Sequence, residues 1–338
     1  MTAVVAKRQS AGGGARVLDS PSLRLVVKRL LMAIPITLGV SVLTFAVLNL
    51  IPGNAAQQVL GAEATPQQVQ AMERQLGLDR PAPVRYLDWL GHAVTGDLGR
   101  SLVSGQPVAS QLGGRLAVTG ELVLLAFVVS LALAVPVALL AARRPNGLFD
   151  RLSMIVSVGG LSVANYVLAL VLVLLFAVRL AVLPAIGFVP LSESVGGNLK
   201  SLVLPVTAVA LPLFCMYARF LRSDLVDQMQ GQDYIVTAQA KGIGPWQVLV
   251  RHALRNSSFG LITVVGLNLT TVIGVTVIIE QIFALPGLGQ LMLQAINARD
   301  VAVVQACVLV FALVTVVANL LADLLYAVLD PRIRYGSR

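Results

Sequence analysis

Residues 116–142 read LAVTGELVLLAFVVSLALAVPVALLAA, and a run this apolar and this long decides the fold. A helix rises about 1.5 Å per residue, so roughly 20 such residues cross a hydrocarbon core of about 30 Å. Working outward, five further stretches of the same kind appear: about 30–51, 152–178, 199–218, 259–283 and 301–329. The whole chain is 57% hydrophobic and 12% charged, with a mean hydropathy of +0.84, well beyond an ordinary water-soluble domain. Pro35, Pro136, Gly159, Gly160, Pro205, Pro212, Gly266 and Gly274 interrupt these runs. Neighbouring helices in a bundle satisfy the backbone groups that such residues free. The expectation is an all-α integral membrane protein with six transmembrane helices.

The net charge of +9 raises the question of a polyanionic partner. Six crossings answer it. With the N-terminus inside, Lys7, Arg8, Arg16, Arg24, Lys28, Arg29, Arg143, Arg144, Arg151, Arg219, Arg222, Lys241, Arg251, Arg255, Arg332, Arg334 and Arg338 all fall on the cytoplasmic side, most of the 25 basic residues. That asymmetry is the positive-inside rule, so both termini are expected in the cytoplasm and no nucleic acid is required. Cys215 and Cys307 lie within predicted helices and are read as packing residues. Lys28 and Arg29 ahead of an apolar run resemble a signal peptide, but the run exceeds the usual 7 to 15 residues and is read as an uncleaved anchor.

Residues 1–22, with Gly12, Gly13 and Gly14, lack apolar periodicity and read as a mobile cytoplasmic tail ahead of a permease domain at 23–338. The first outer segment, about 52–115, is long enough to form a small extracytoplasmic cap. Thr65 and Pro66 open an amphipathic stretch through Leu76, and Pro83 leads into Tyr86, Leu87, Trp89 and Leu90 at helical spacing. The inner loop, about 219–256, is polar yet patterned. Asp233 is placed to cap a short helix, Gly242 and Gly244 to turn the chain, and Pro245 to open an interfacial helix with Trp246, Leu249, Val250 and Ala253 on one face. A motor protein gripping a membrane protein needs such a projecting element, with small residues for close approach. An ordinary solvated loop containing a turn fits the composition equally well.

The segment Asp233, Tyr234, Ile235, Val236, Thr237, Ala238, Gln239, Ala240, Lys241, Gly242 resembles the "EAA" coupling loop of bacterial ABC importer permeases, in the form of the dipeptide, oligopeptide and nickel branch. Val236 and Thr237 stand where the general pattern has Glu and the first Ala, while Ala238 and Gly242 match. The resemblance runs from about Leu23 to Tyr335. It includes Gly77, Asp79, Pro81, Gly96, Asp97, Gly99 and Ser101 in the cap, Glu280, Phe283, Pro286, Gly287, Gly289 and Asp300 near the outer face, and Asp330, Pro331 and Arg332 at the end. It implies a type I importer in the bacterial plasma membrane: two permease subunits, two ATPases inside, and an extracytoplasmic substrate-binding protein. On that resemblance Asp233, Tyr234, Ala238, Ala240, Lys241 and Gly242 form the coupling loop. Gly96, Asp97, Phe283, Pro286, Gly287 and Gly289 become candidates for an outer gate or binding-protein contact. Peptides are the expected cargo, with glutathione and chelated nickel as alternatives.

No phosphate-binding loop of the form Gly, four residues, Gly, Lys, Ser or Thr occurs in the sequence. ATP and Mg are therefore expected on partner ATPases, with no cofactor, metal or catalytic residue in this chain. His92 and His252 fall on opposite sides of the predicted membrane, which argues against a paired-histidine metal site. Two ionisable residues lie within the predicted spans, where burial is costly: Asp323, read as a helix-end contact, and Glu280. Together with Asn268, Thr270, Thr271 and Thr276, Glu280 marks a polar stripe on the fifth helix. Two readings stand, a pathway lined by Asn268, Thr271 and Glu280, or hydrogen bonds between helices. A secondary transporter driven by an ion gradient is the alternative function, although no internal repeat is visible. A membrane enzyme lacks any cluster of nucleophile and base.

Overall fold

The computed structural model describes residues 21–50, 60, 64–75, 77 and 79–329, with backbone alone for 21–30, 75, 231 and 323–329. The readings made for residues 1–20 and for Asp330, Pro331 and Arg332 fall outside the described residues, as does the side chain of Asp323. Among the described residues the chain is helical, with one isolated bridge, Arg100 to Pro107.

Helix α1 (Pro21–Leu50) is followed by two short helices, α2 (Pro66–Gln75) and α3 (Ala82–Val94). Thr65 and Gln68 cap α2 reciprocally: the Gln68 side chain accepts from Thr65 N–H at 2.9 Å and the Thr65 hydroxyl faces Gln68 N–H at 3.4 Å. Helices α4 (Val108–Arg143), α5 (Leu148–Ser162), α6 (Asn165–Arg179) and α7 (Val195–Gly231) come next. They precede the short α8 (Asp233–Ala240), the long α9 (Pro245–Ile282), α10 (Leu288–Asn297) and α11 (Val301–Leu329). Among the described residues five helices are long and apolar enough to cross a membrane, or six if α5 and α6 together make one span.

That pair corrects the sequence reading. The third apolar stretch is not one helix, because α5 and α6 meet at 100°. Val163 and Ala164 adopt extended backbone angles (φ −94°, ψ 125° and φ −65°, ψ 141°). Ser162 donates its hydroxyl back to Val158 C=O at 2.9 Å, a local bond of the kind that bends helices. Both residues at the break are apolar, so hydropathy does not dip there. The fourth and second stretches are likewise longer than their apolar runs. At 37 and 36 residues, α7 and α4 span about 55 Å at 1.5 Å per residue, well beyond the hydrocarbon core.

Two buried clusters organise the bundle. The larger joins α4, α7 and α9 around Leu122, Tyr217, Leu221 and Ile279, and reaches α8 through Ile235 and Ala238. The smaller lies at the opposite end, where Val108 and Leu112 of α4 meet Leu288 and Leu291 of α10 and Val303, Val304 and Cys307 of α11. Helices approach closely where glycines sit. A Cβ on Gly160 would stand 2.4 Å from Cys215 Sγ, and one on Gly266 would stand 2.8 Å from Ala322 Cβ. Small residues let membrane helices pack this tightly. Cys215 and Cys307 are buried and unbridged.

Candidate functional site

One end of the bundle carries the projecting element. The chain leaves α7 at Gly231, passes through extended Gln232 (φ −105°, ψ 125°), and enters α8. Asp233 is the first helical residue and not the cap, a correction to the sequence reading; its charge still suits the positive helix start. At the far end Gly242 N–H donates to Gln239 C=O at 2.9 Å and Ile243 N–H to Ala238 C=O at 3.3 Å. That pairing is a Schellman motif, and it requires the left-handed Gly242 backbone, φ +79°. A Cβ there would meet nothing within 4 Å, so a side chain at 242 is disfavoured by backbone angle alone. Gly242→Ala should cost about 1–2 kcal/mol locally. Hydrogen exchange across residues 233–243 should quicken measurably in that variant.

Helix α8 has two distinct faces. Ile235 and Ala238 point inward and join the core with Val226, Val248, Leu249 and Ala253. Asp233, Tyr234, Val236, Thr237, Gln239, Ala240, Lys241 and Gly242 face outward, and Val236 is 63% exposed. The sequence reading had offered Ala238 as a small residue for a partner's close approach. Its smallness instead lets α8 lie against its own chain, so the outward small residues are Ala240 and Gly242.

Polar ties fasten α8 to the long helices. The Gln228 side-chain oxygen of α7 accepts from Tyr234 Oη–H at 2.7 Å and from Asn256 Nδ2–H of α9 at 2.9 Å. Partial burial pushes the Tyr234 phenol above its ordinary range, so it stays a neutral donor. Nearby, the Arg143 guanidinium at the end of α4 lies 5.7 Å from the Trp246 ring centre at the start of α9. Asp150, in the first turn of α5 and almost fully buried, accepts both Arg222 Nε–H at 2.7 Å and Arg222 Nη2–H. It also accepts Asn146 N–H at 2.8 Å, holding a turn in which Asn146 has φ +63°. Four helices are thereby locked together around the root of α8. Sequence reasoning missed Gln228, Asn256, Asp150 and the role of Arg222. The expected interfacial helix from Pro245 is also corrected, since it runs unbroken, through a π-helical turn at Leu249–Ala253, into α9.

The opposite end holds a second constellation. The Glu280 carboxylate is fully buried and accepts Thr119 Oγ1–H at 2.6 Å, Gln290 N–H at 3.1 Å and Gly289 N–H. Thr119 Oγ1 in turn accepts Leu288 N–H at 2.9 Å. The three free N–H groups that begin α10 are thus capped by two side chains from other helices. Nine residues along a helix is two and a half turns, so Glu280 lies on the side of α9 opposite Thr271, which is exposed. Asn268, on the Thr271 side, bonds its own helix at Val264 C=O, 2.7 Å away. Glu280 is therefore a clamp on α10 and does not share a stripe with Asn268 and Thr271.

The outer candidates divide in the same manner. Gly96 and Asp97 are exposed, with Asp97 accepting Gly99 N–H at 2.9 Å. Phe283, Gly287 and Gly289 are buried and Pro286 is half-buried. A second tie joins the cap to the bundle, because Ser101 Oγ donates to the buried Asp300 carboxylate at the start of α11.

Comparison with known proteins bears on what this frame is for. Residues 134–335 match the model of the binding-protein-dependent transport system inner membrane component, and residues 22–123 match the model of its N-terminal region. The chain belongs to that family. It is an inner-membrane, multi-pass transport permease component. It is 42% identical to a Brucella abortus (strain 2308) chain named as a peptide transport system permease protein, over 92% of this chain and 99% of that one. It is 36% identical to the dipeptide transport system permease protein of Alkalihalophilus pseudofirmus, over 91% of this chain and 98% of that one. The glutathione transport system permease protein of Escherichia coli (strain K12) is 35% identical, over 93% of this chain and 99% of that one. The permease thus comes from a transport system that depends on a binding protein.

Proposed function

We propose that the permease is the transmembrane subunit of an ATP-binding-cassette importer that moves peptides inward across the bacterial inner membrane. Both termini and α8 lie in the cytoplasm, and a second homologous permease completes the pathway. Two ATPases bind ATP and Mg and dock on α8, while an extracytoplasmic binding protein delivers cargo to the cap around Gly96 and Asp97. The observation that carries this reading is the two-faced α8, whose inward residues are anchored in the core while Val236 and Ala240 stand outward and exposed. An apolar side chain as open as Val236, beside the polar tie from Tyr234 to two long helices, suits a partner that both grips and moves the helix. Peptide cargo is supported by relatives named for peptide and dipeptide transport.

Val236→Asp tests the docking role, since it changes the outward face and no core contact. The variant should assemble normally in the membrane yet lose ATPase copurification and most peptide uptake. Full uptake of a labelled peptide by that variant would contradict the proposal. Uptake of labelled glutathione or chelated nickel, with peptides failing to compete, would reassign the cargo. Tyr234→Phe removes one hydrogen bond, worth about 1 kcal/mol. It should reduce substrate-stimulated ATPase activity several-fold while leaving the ATPase bound.

A further inference from the structure

Helix α3 presents an apolar stripe that the chain leaves uncovered. None of its residues is buried. Val84, Leu87, Gly91 and Val94 follow one another at three- and four-residue spacing, so they line one side of the helix. Val84 is 45% exposed, Leu87 64% and Val94 81%. A second side meets α1: Tyr86 Oη lies 3.1 Å from Ser41 Oγ, the Tyr86 and Phe45 rings are 5.4 Å apart, and Arg85 sits 5.7 Å from the Phe45 ring centre. The edge beside Val84 is polar: Asp88, one turn on and about 40° round the helix, pairs with Arg80 at 3.2 Å, and His92 follows it. The side-chain contacts with α1 gather within one turn of it, so α3 crosses α1 and does not run alongside it.

The level of that crossing identifies what covers the stripe. From Arg29, the last charge before the apolar run, Ser41 and Phe45 lie 12 and 16 residues along α1, about 18 and 24 Å at 1.5 Å per residue. A hydrocarbon core of about 30 Å therefore extends roughly 6 to 12 Å past the crossing. Val47 and Leu50, beyond the crossing on α1, are themselves exposed apolar residues. We infer that α3 is an interfacial helix, seated across α1 with Leu87 and Val94 in the acyl chains of one leaflet, Val84 at their margin, and Asp88 and His92 toward water. Such helices sit about 5–10 Å into the headgroup boundary, the depth at which α1 holds this one. This inference depends on α1 crossing the bilayer and not on the cargo or the engine.

Spin labels on Leu87→Cys, Val94→Cys, Asp88→Cys and His92→Cys, each at an exposed site of the full-length permease in lipid nanodiscs, test it. Labels at 87 and 94 should collide preferentially with dissolved oxygen, and those at 88 and 92 with a water-soluble nickel complex. Equal access of the nickel complex to all four would overturn the inference. So would labels at 87 and 94 that open to water and become protected only when the binding protein is added, since the stripe would then be a protein docking surface.

Discussion

Gly287→Ala is expected to destabilise the permease strongly, and truncating Glu280 is expected to relieve much of that loss. A Cβ on Gly287 would stand 2.3 Å from Glu280 Cδ and 2.4 Å from both carboxylate oxygens. That carboxylate cannot swing aside, because Thr119 and Gln290 hold it. Overpacking of this kind costs about 1–3 kcal/mol, and displacing the carboxylate would orphan buried donors at about 1–3 kcal/mol each. Glu280→Ala alone should therefore be damaging, yet Gly287→Ala should add little to it. Gly289→Ala supplies the contrast. Its Cβ would stand 2.5 Å from Val277 Cα, which is backbone, so loss of Glu280 should give little relief. Thermal unfolding midpoints of the three single variants and of each glycine variant combined with Glu280→Ala would read this pattern. Simple additivity of Glu280→Ala and Gly287→Ala would contradict the clamp.

The second large effect is expected at the opposite end. Asp150→Ala should cost about 3–5 kcal/mol, the usual penalty for leaving one member of a buried ion pair without its partner. The Arg222 guanidinium would lose both of its hydrogen bonds to the carboxylate, and the Asn146 turn would lose its acceptor. Arg222→Met should hurt less, since Asp150 would keep Asn146. The double variant should be clearly more stable than the sum of the singles. Protease susceptibility of the turn at 144–147, with unfolding midpoints, would measure this. Additive losses would show the two side chains acting independently.

Much of this architecture is legible in the sequence, because a membrane helix announces itself by length and hydropathy. The projecting turn is also legible, since Gly242 at left-handed φ ends a helix wherever it occurs. What escaped has physical reasons. The break at Val163 and Ala164 is made by backbone angles that apolar residues conceal. The extension of α7 to Gly231 is polar, so a hydropathy window stops short of it. Asp150 and Arg222 are 72 positions apart, and Thr119 and Glu280 are 161 apart, separations that no local pattern encodes. Glu280 stands out in the sequence as an ionisable residue within a span, with a pathway and hydrogen bonds between helices both open to it. One sequence could not show that its partners are the first amides of α10 and not a passing solute.

On the proposed function, the permease supplies a pathway moved by a separate nucleotide-hydrolysing partner. The most direct measurement is labelled-peptide accumulation in vesicles holding either the complete transporter or the permease alone, with ATP and an imposed ion gradient varied independently. Accumulation should require the complete transporter, its binding protein and ATP on the α8 side, and should survive collapse of the gradient. Gradient-driven accumulation by the permease alone would contradict the account.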